Sequence, residues 1–230
     1  MVFEVSTLDM LLMNERSILI VSNWKLQDLL DEYPEYQLCL VDEETGYPVA
    51  VANSVPFVCS GPDDLPPEGW DWVVETAARN KHTRANMLGA LAVSVPAVHR
   101  SKGYARLIIR SLLSLAESKK LNGVVVPVRP TGKVRHPWVP IADYMTWKDD
   151  KGRPYDPWLR SHLASGGKIV GPCERSMTVH EPLGFWENWS EKRFEETGRY
   201  ALKGGIAPVD IDVDRQTGTY EEPNVWIAYS

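Results

Sequence analysis

The chain has 230 residues, 43% of them hydrophobic, and a formal net charge of −6. That is enough for one large domain with an ordinary core. The acidic balance argues against a general affinity for nucleic acid, which rests on clustered Lys and Arg neutralising phosphates. Apolar runs such as "LGALAVSVPAV" stay well short of the roughly 20 residues that cross a bilayer, and the acidic opening "MVFEVSTLDMLLMNERS" lacks the basic start and cleavage site of a signal peptide. Cys39, Cys59 and Cys173 are widely spaced and odd in number, which fits neither a zinc site nor a disulfide framework. The expectation is a cytoplasmic protein with no metal, no membrane and a small partner. Nine tryptophans point either to an aromatic-lined pocket or to a large core.

In chain order, the opening reads as a short helix, a connecting segment and a second helix near residues 23–32 that ends before Pro34. "YQLCLVDE" and "YPVAVANSVPFVC" flank the turn "DEETG" and predict a β-hairpin. "GPDDLPPEG" is a loop, and "WDWVVETAARNKH" carries helical spacing at Trp72, Val73, Thr76 and Ala77. "LGALAVSVPAVH" predicts a central strand. From Tyr104 to Lys119, Ala105, Ile108, Ile109, Leu112, Leu113 and Ala116 repeat at helical intervals opposite Arg106, Arg110, Ser114 and Glu117. "VVVPVRP" is a short buried strand. Residues 130–155 hold too many prolines and turns for a simple connection and read as an insertion with one short helix near Ile141 to Trp147. "DPWLRSHLASGG" starts with an acid and a proline and ends with glycines, the punctuation of a helix. A strand over "KIVGPCERSMTV", a helix over "PLGFWENWSEKRF", a strand from Arg199 to about Val213 and a last short strand "NVWIAYS" complete the pattern. The order predicts an α/β (α+β) fold, a mixed sheet covered by helices.

"HRSKGYARLIIRSLL" places a basic, glycine-containing turn between a strand and a helix. Helix-start amides have no intrahelical partner and carry part of the helix dipole, so such a turn can hold a phosphate. Gly103 permits close approach to the backbone, Ala105 is small, and Arg100 and Lys102 add positive charge. The pattern Arg100-x-x-Gly103-x-Ala105, after "AVSVPAVH" and before "YARLIIRSLLSLAE", resembles the acyl-coenzyme A loop of the GNAT superfamily of N-acetyltransferases, Gln/Arg-x-x-Gly-x-Gly/Ala. The resemblance extends through the order of elements from residue 36 to about Val179. It implies two central strands that splay apart, with the pantetheine arm of acetyl-CoA or another acyl-CoA between them. Pro96 and Pro127 agree with a gap, because proline cannot donate a ladder bond. The resemblance further implies pantetheine contacts from the backbone around Val93, Ser94 and Val95, and diphosphate contacts from Arg100, Ser101, Lys102, Gly103, Tyr104 and Ala105.

Transfer of an acyl group from a thioester to an amine uses a neutral amine, an oxyanion stabiliser and a proton for the thiolate. In many members of the superfamily the proton donor is a tyrosine in a helix ending Tyr-x-x-x-Gly-Phe. Here "HLASGGKIVG" puts His162 at that position, and Tyr144 in the insertion is the second candidate. Glu75, His180 and Glu181 are weaker choices for a base, and Cys173 is the residue that could accept an acyl group directly. "VRPTGKVRHP" gathers Arg129, Lys133, Arg135 and His136; Arg129 and Arg135, with Trp138, are the candidate acceptor-binding residues. The resulting expectation is one GNAT-like domain over residues 1–230, with the insertion at about 130–155 and a C-terminal extension from about 180. Its activity is acyl transfer from acyl-CoA to a small-molecule amine. Two alternatives stay open: acyl transfer involving a carrier-protein thioester, and a non-catalytic acyl-CoA-binding module. A second copy of the chain, forming a homodimer, is also open as a partner.

Overall fold

Asp42 closes the first hairpin: its Oδ1 accepts the N–H groups of Glu44 and Thr45 at 3.1 and 2.9 Å, an Asx turn that reverses the chain. The computed structural model describes Asp28, residues 31–80 and residues 82–230. The two helices expected before Pro34 lie outside the described residues, except that Asp28, Asp31 and Glu32 are helical. β1 (Gln37–Val41) and β2 (Pro48–Phe57) pair antiparallel, and β3 (Met87–Ser94) pairs antiparallel with β2. α1 (Gly69–Arg79) buries Trp70, Val73, Val74 and Ala77 on one face of the sheet. α2 (Tyr104–Ser118) buries Ile108, Ile109, Leu112 and Ala116, in the cluster on the other face. These are the residues whose 3.6-residue spacing marked the helix.

β4 (Val124–Val128) runs parallel to β3. The insertion contains the short α3 (Ile141–Tyr144), and α4 (Pro157–Ala164) follows it. Asp156 caps α4 by accepting from Trp158 N and Leu159 N at 2.8 and 3.1 Å, an arrangement worth about 1 kcal/mol. β5 (Lys168–Pro182), α5 (Leu183–Ser190), β6 (Gly198–Ala201), β7 (Pro208–Asp212) and β8 (Thr217–Tyr229) complete the chain. The sheet order is β1-β2-β3-β4-β8-β7-β6, with β5 paired along the other edge of β8.

Two expectations are corrected here. The single strand expected from Arg199 to Val213 is two strands, β6 and β7, which reverse through Gly204 at φ +86°. The expected short last strand is the 13-residue β8, and it lies inside the sheet between β4 and β5, so the residues after 180 are integral to the fold. Pro223 hid this continuity, because proline argues against a central strand. The fold accommodates it opposite an irregularity in β5, where the register shifts between Cys173 and Met177.

β3 and β4 pair over only two registers, Leu88 with Val124 and Gly89 with Val125. Beyond that point they run on unpaired with each other. Two local features cause the split. The register of β2 with β3 shifts between Asn53 and Ser54, leaving Leu91 as an extra residue, a bulge that bends its strand. In β4, Leu88 N–H donates to Gly123 O at 3.0 Å, so by strand alternation the main-chain groups of residues 125 and 127 face β3. Pro127 therefore lacks its N–H where a continuing β3 would have required one. Past the bulge, Val93 lies opposite Ala52 and Ser94 opposite Val51. The same alternation turns the main-chain groups of Val93 and Val95 into the gap and those of Ser94 toward β2.

Candidate active site

The gap opens onto the loop before α2. Ser101 and Gly103 both take positive φ, 63° and 87°, a sequence of turns that points successive amides outward. Gly103 is the N-cap of α2 and no side chain caps that end; Arg106 N–H already donates to Gly103 O, so the first two helical N–H groups, of Tyr104 and Ala105, are the ones left for an anion. A Cβ on Gly103 would meet nothing within 4 Å, so the loop is open on that side. Ser101 and Lys102 are exposed, while Tyr104 is half-buried with its ring edge-on to His99 at 5.9 Å. Arg100 folds back, its Nε donating to Val95 O at 3.3 Å. That bond holds a guanidinium at the mouth of the gap.

On the opposite face, side chains span the split. Trp70 Nε1 donates to Leu91 O of β3 at 3.1 Å, and Trp70 N–H donates to Ser176 Oγ at 3.0 Å. Asn224 Nδ2 donates to the same Ser176 Oγ at 2.9 Å and to Pro127 O of β4 at 3.2 Å. Leu91 and Pro127 each stand two residues past the last β3–β4 pair. The chain Leu91–Trp70–Ser176–Asn224–Pro127 thus bridges the two strands where direct pairing has ended. The bridge leaves the edges of the gap without ladder partners, as an inserted amide-bearing arm requires. Gly69 is needed for this approach, since a Cβ there would overlap Ser176. Sequence reasoning missed Trp70, Ser176 and Asn224; Ser176 and Asn224 sit in strands that carry other polar and charged residues, so their polarity did not mark them out.

No protein-family model matches the sequence. An arginine N-acetyltransferase, avaD of Aspergillus versicolor, is 35% identical over 223 residues, covering 86% of this chain and 77% of the relative. The chain belongs to the GNAT superfamily. Among solved structures, the fold is similar to the GphF GNAT-like decarboxylase in complex with isobutyryl-CoA, with a TM-score of 0.59 at 18% identity, covering 100% of this chain and 98% of that one. It is similar in the same degree, 0.59 at 18% identity, to the loading GNATL domain of CurA from Lyngbya majuscula, covering 96% of this chain and 91% of that domain. This GNAT is an acyl-CoA-dependent N-acyltransferase. No helix among its described residues is long and apolar enough to cross a membrane.

In this GNAT the two expected proton donors are core residues. His162 is 1% exposed, its Nδ1 paired with the Tyr229 hydroxyl at 2.7 Å and its ring edge-on to Trp158. Burial pushes its pKa down to about 3, so at neutral pH it holds no imidazolium proton to give. The unfolded chain binds that proton below its ordinary pKa of roughly 6.5. Stability is therefore full above that pH and falls by about 1.4 kcal/mol per unit as the pH drops toward the folded value. Acidification from pH 7 to pH 5 should cost about 2 kcal/mol through this site. Urea unfolding of the protein and of His162→Gln at both pH values checks this, the variant losing distinctly less. An equal loss in both would remove His162 as the cause.

Tyr144 is 1% exposed and its hydroxyl donates to Asp156 Oδ2 at 3.1 Å, the same oxygen that takes Gly132 N–H at 2.6 Å. Burial, and next the Asp156 carboxylate, push the phenol upward. It locks the insertion to the N-cap of α4 rather than facing the gap. Tyr144→Phe is expected to cost about 1 kcal/mol of stability and to leave acyl transfer within about twofold. Thermal melting and a thiol-release assay read the two quantities, and a large rate loss at unchanged melting would restore the tyrosine as donor.

The basic stretch divides. Lys133 is 1% exposed and its ammonium donates to Val139 O and Ile206 O at 2.7 and 2.8 Å and to His136 O at 3.3 Å. Burial lowers its pKa to about 8. Arg129 Nε lies 3.0 Å from both carboxylate oxygens of Glu222, and its Nη2 donates to Gly204 O at 2.7 Å. Glu222 also accepts from the Tyr220 hydroxyl at 3.0 Å. Arg129 is therefore a structural partner of β8, which corrects its reading as an acceptor-binding residue. Arg135 and Trp138 stay exposed, Trp138 at 59%. Cys173 is fully buried with its thiol pushed upward by that burial, which suits a core residue. Among the described residues no cluster of His, Cys, Asp or Glu could hold a metal.

Proposed function

We propose that this GNAT transfers an acetyl or another acyl group from acyl-CoA to an amine of a small, amino-acid-like molecule, arginine being the first acceptor to test. The observation that carries this reading is the split between β3 and β4, opening onto an uncapped helix start at Gly103. The diphosphate sits on the amides from Arg100 to Ala105, with Arg100 and Lys102 nearby. The pantetheine amides pair with the gap-facing main chain of Val93 and Val95. The relative that acetylates arginine supports an amine of that kind. The attacking nitrogen forms a bond to the thioester carbonyl carbon, the carbon–sulfur bond breaks, and the amine proton is lost to solvent. A thiol with an ordinary pKa of roughly 8.5 is a good enough leaving group to depart as thiolate, so the reaction does not need His162 or Tyr144 as acid.

A carrier protein as acyl donor would call for an exposed basic surface to meet it. Lys133 is buried and Arg129 is paired, leaving Arg135 alone in that stretch as an exposed arginine, so residues 129–136 do not supply that surface and free acyl-CoA is the donor to test first. The reading does not need a second copy of the chain. Calorimetric titration with acetyl-CoA and with a long-chain acyl-CoA selects the acyl length. Thiol release with arginine, an arylalkylamine and a polyamine then selects the acceptor. Absence of binding to either thioester sinks the proposal.

A further inference from the structure

We infer that the Asn224 carboxamide is the acceptor-amine site, its Oδ1 taking an N–H of the incoming amine beneath the split of β3 and β4. This rests on the acyltransferase reading above and adds to it the atom that receives the substrate.

Asn224 is 4% exposed, and its Oδ1 is buried without a hydrogen-bond partner among the described residues. The orientation of the amide is set by its other end. Nδ2 donates to Pro127 O and Ser176 Oγ, and a flipped amide would set two acceptor oxygens, Oδ1 and Pro127 O, against each other. Oδ1 is therefore the atom left over. A buried acceptor with no donor is costly, and in a native fold it calls for a ligand or another explanation. What it lacks is a donor, which the N–H of an amine supplies.

Its place fits that need. The diphosphate loop and α2 lie on one side of the sheet, and Asn224 stands with Trp70 and Ser176 on the other. An arm threaded through the gap from the loop presents its thioester toward this second side. Asn224 is tied to Pro127 O, two residues past the last β3–β4 pair. An amine attacking there directs its lone pair at the thioester carbon and has N–H groups to spare for Oδ1. As the carbon–nitrogen bond forms, the nitrogen gains positive charge, and an amide oxygen stabilises it without taking the proton. Trp70 and Ser176 hold the carboxamide in place, and the N-terminal end of α1 abuts Ser176 through Trp70 N–H.

The test starts with wild-type protein, acetyl-CoA and the amine it acylates from a panel of arginine, an arylalkylamine and a polyamine. Asn224→Ser removes the oxygen from its position. The expected result is a KM for that amine raised about tenfold or more, with the acetyl-CoA dissociation constant within about threefold. Tyr144→Phe, weakened from the opposite face, controls for lost stability. Should Asn224→Ser not fold, side-chain amide NMR of the wild-type protein with coenzyme A bound replaces it. Addition of the amine should then shift the Asn224 resonances. A folded variant with unchanged amine KM, a loss confined to acetyl-CoA affinity, or an unshifted Asn224 amide overturns the inference while leaving the acyltransferase reading intact. A wild-type protein that binds no acyl-CoA overturns both.

Discussion

Gly103→Glu should reduce acetyl-CoA affinity by about 100-fold or more, a loss of at least about 2.7 kcal/mol. Gly103 caps α2 at φ +87°, and the space a side chain would enter is open. The substitution therefore leaves the protein core untouched. It fills the concavity that a diphosphate would occupy and sets a carboxylate against the phosphate oxygens. Backbone strain, about 1 kcal/mol for a residue with a Cβ in the left-handed region, adds to the loss only as far as the free loop relaxes out of the binding conformation. Gly103→Asn separates the two contributions, because asparagine tolerates that region and carries no charge; its affinity should stay within about tenfold of wild type. Calorimetry with acetyl-CoA, beside far-ultraviolet circular dichroism, measures both. Wild-type affinity in Gly103→Glu would move the diphosphate away from this loop.

Arg129→Ala should lower stability by about 3 kcal/mol, the lower end of the range for removing one partner of a buried ion pair. Glu222 is 2% exposed and would keep, among the described residues, the Tyr220 hydroxyl as its side-chain donor. Arg129 itself is 32% exposed, which tempers the cost. In a domain of this size the change corresponds to a melting-temperature drop on the order of 10 °C. Replacing both partners together, Arg129→Met with Glu222→Leu, should recover most of it, because the stranded charge is gone. The acceptor KM of the folded single variant should stay close to wild type. A raised acceptor KM at unchanged melting temperature would return Arg129 to the acceptor site.

Local chemistry written in adjacent residues was legible in the sequence. The apolar spacing from Ile108 to Ala116 made α2, Asp156 and Pro157 started α4, and the Asp42 turn made the hairpin, each from interactions within a few residues. The Arg100-x-x-Gly103-x-Ala105 loop was legible for the same reason, since positive φ at Gly103 and a free helix start are local properties. Pro127 announced the unpaired edge through the N–H it lacks.

Direction in three dimensions was decided only by the tertiary structure. Lys133 and Arg129 read as a basic loop, yet both turn inward: besides nearby carbonyls, Lys133 meets Ile206 O 73 positions away, and Arg129 meets the Glu222 carboxylate 93 positions away. β8 enters the middle of the sheet despite Pro223, Glu222 and Asn224, since β4, β5 and β7 pair with its main chain and side-chain partners meet Glu222 and the Nδ2 end of Asn224. Asn224 meets Ser176 and Pro127 across 48 and 97 residues. Its unpartnered oxygen exists only once three strands and a helix have converged. Periodicity reports which face of an element is apolar, whereas the partner of a buried polar atom depends on long-range packing that spacing along the chain does not encode.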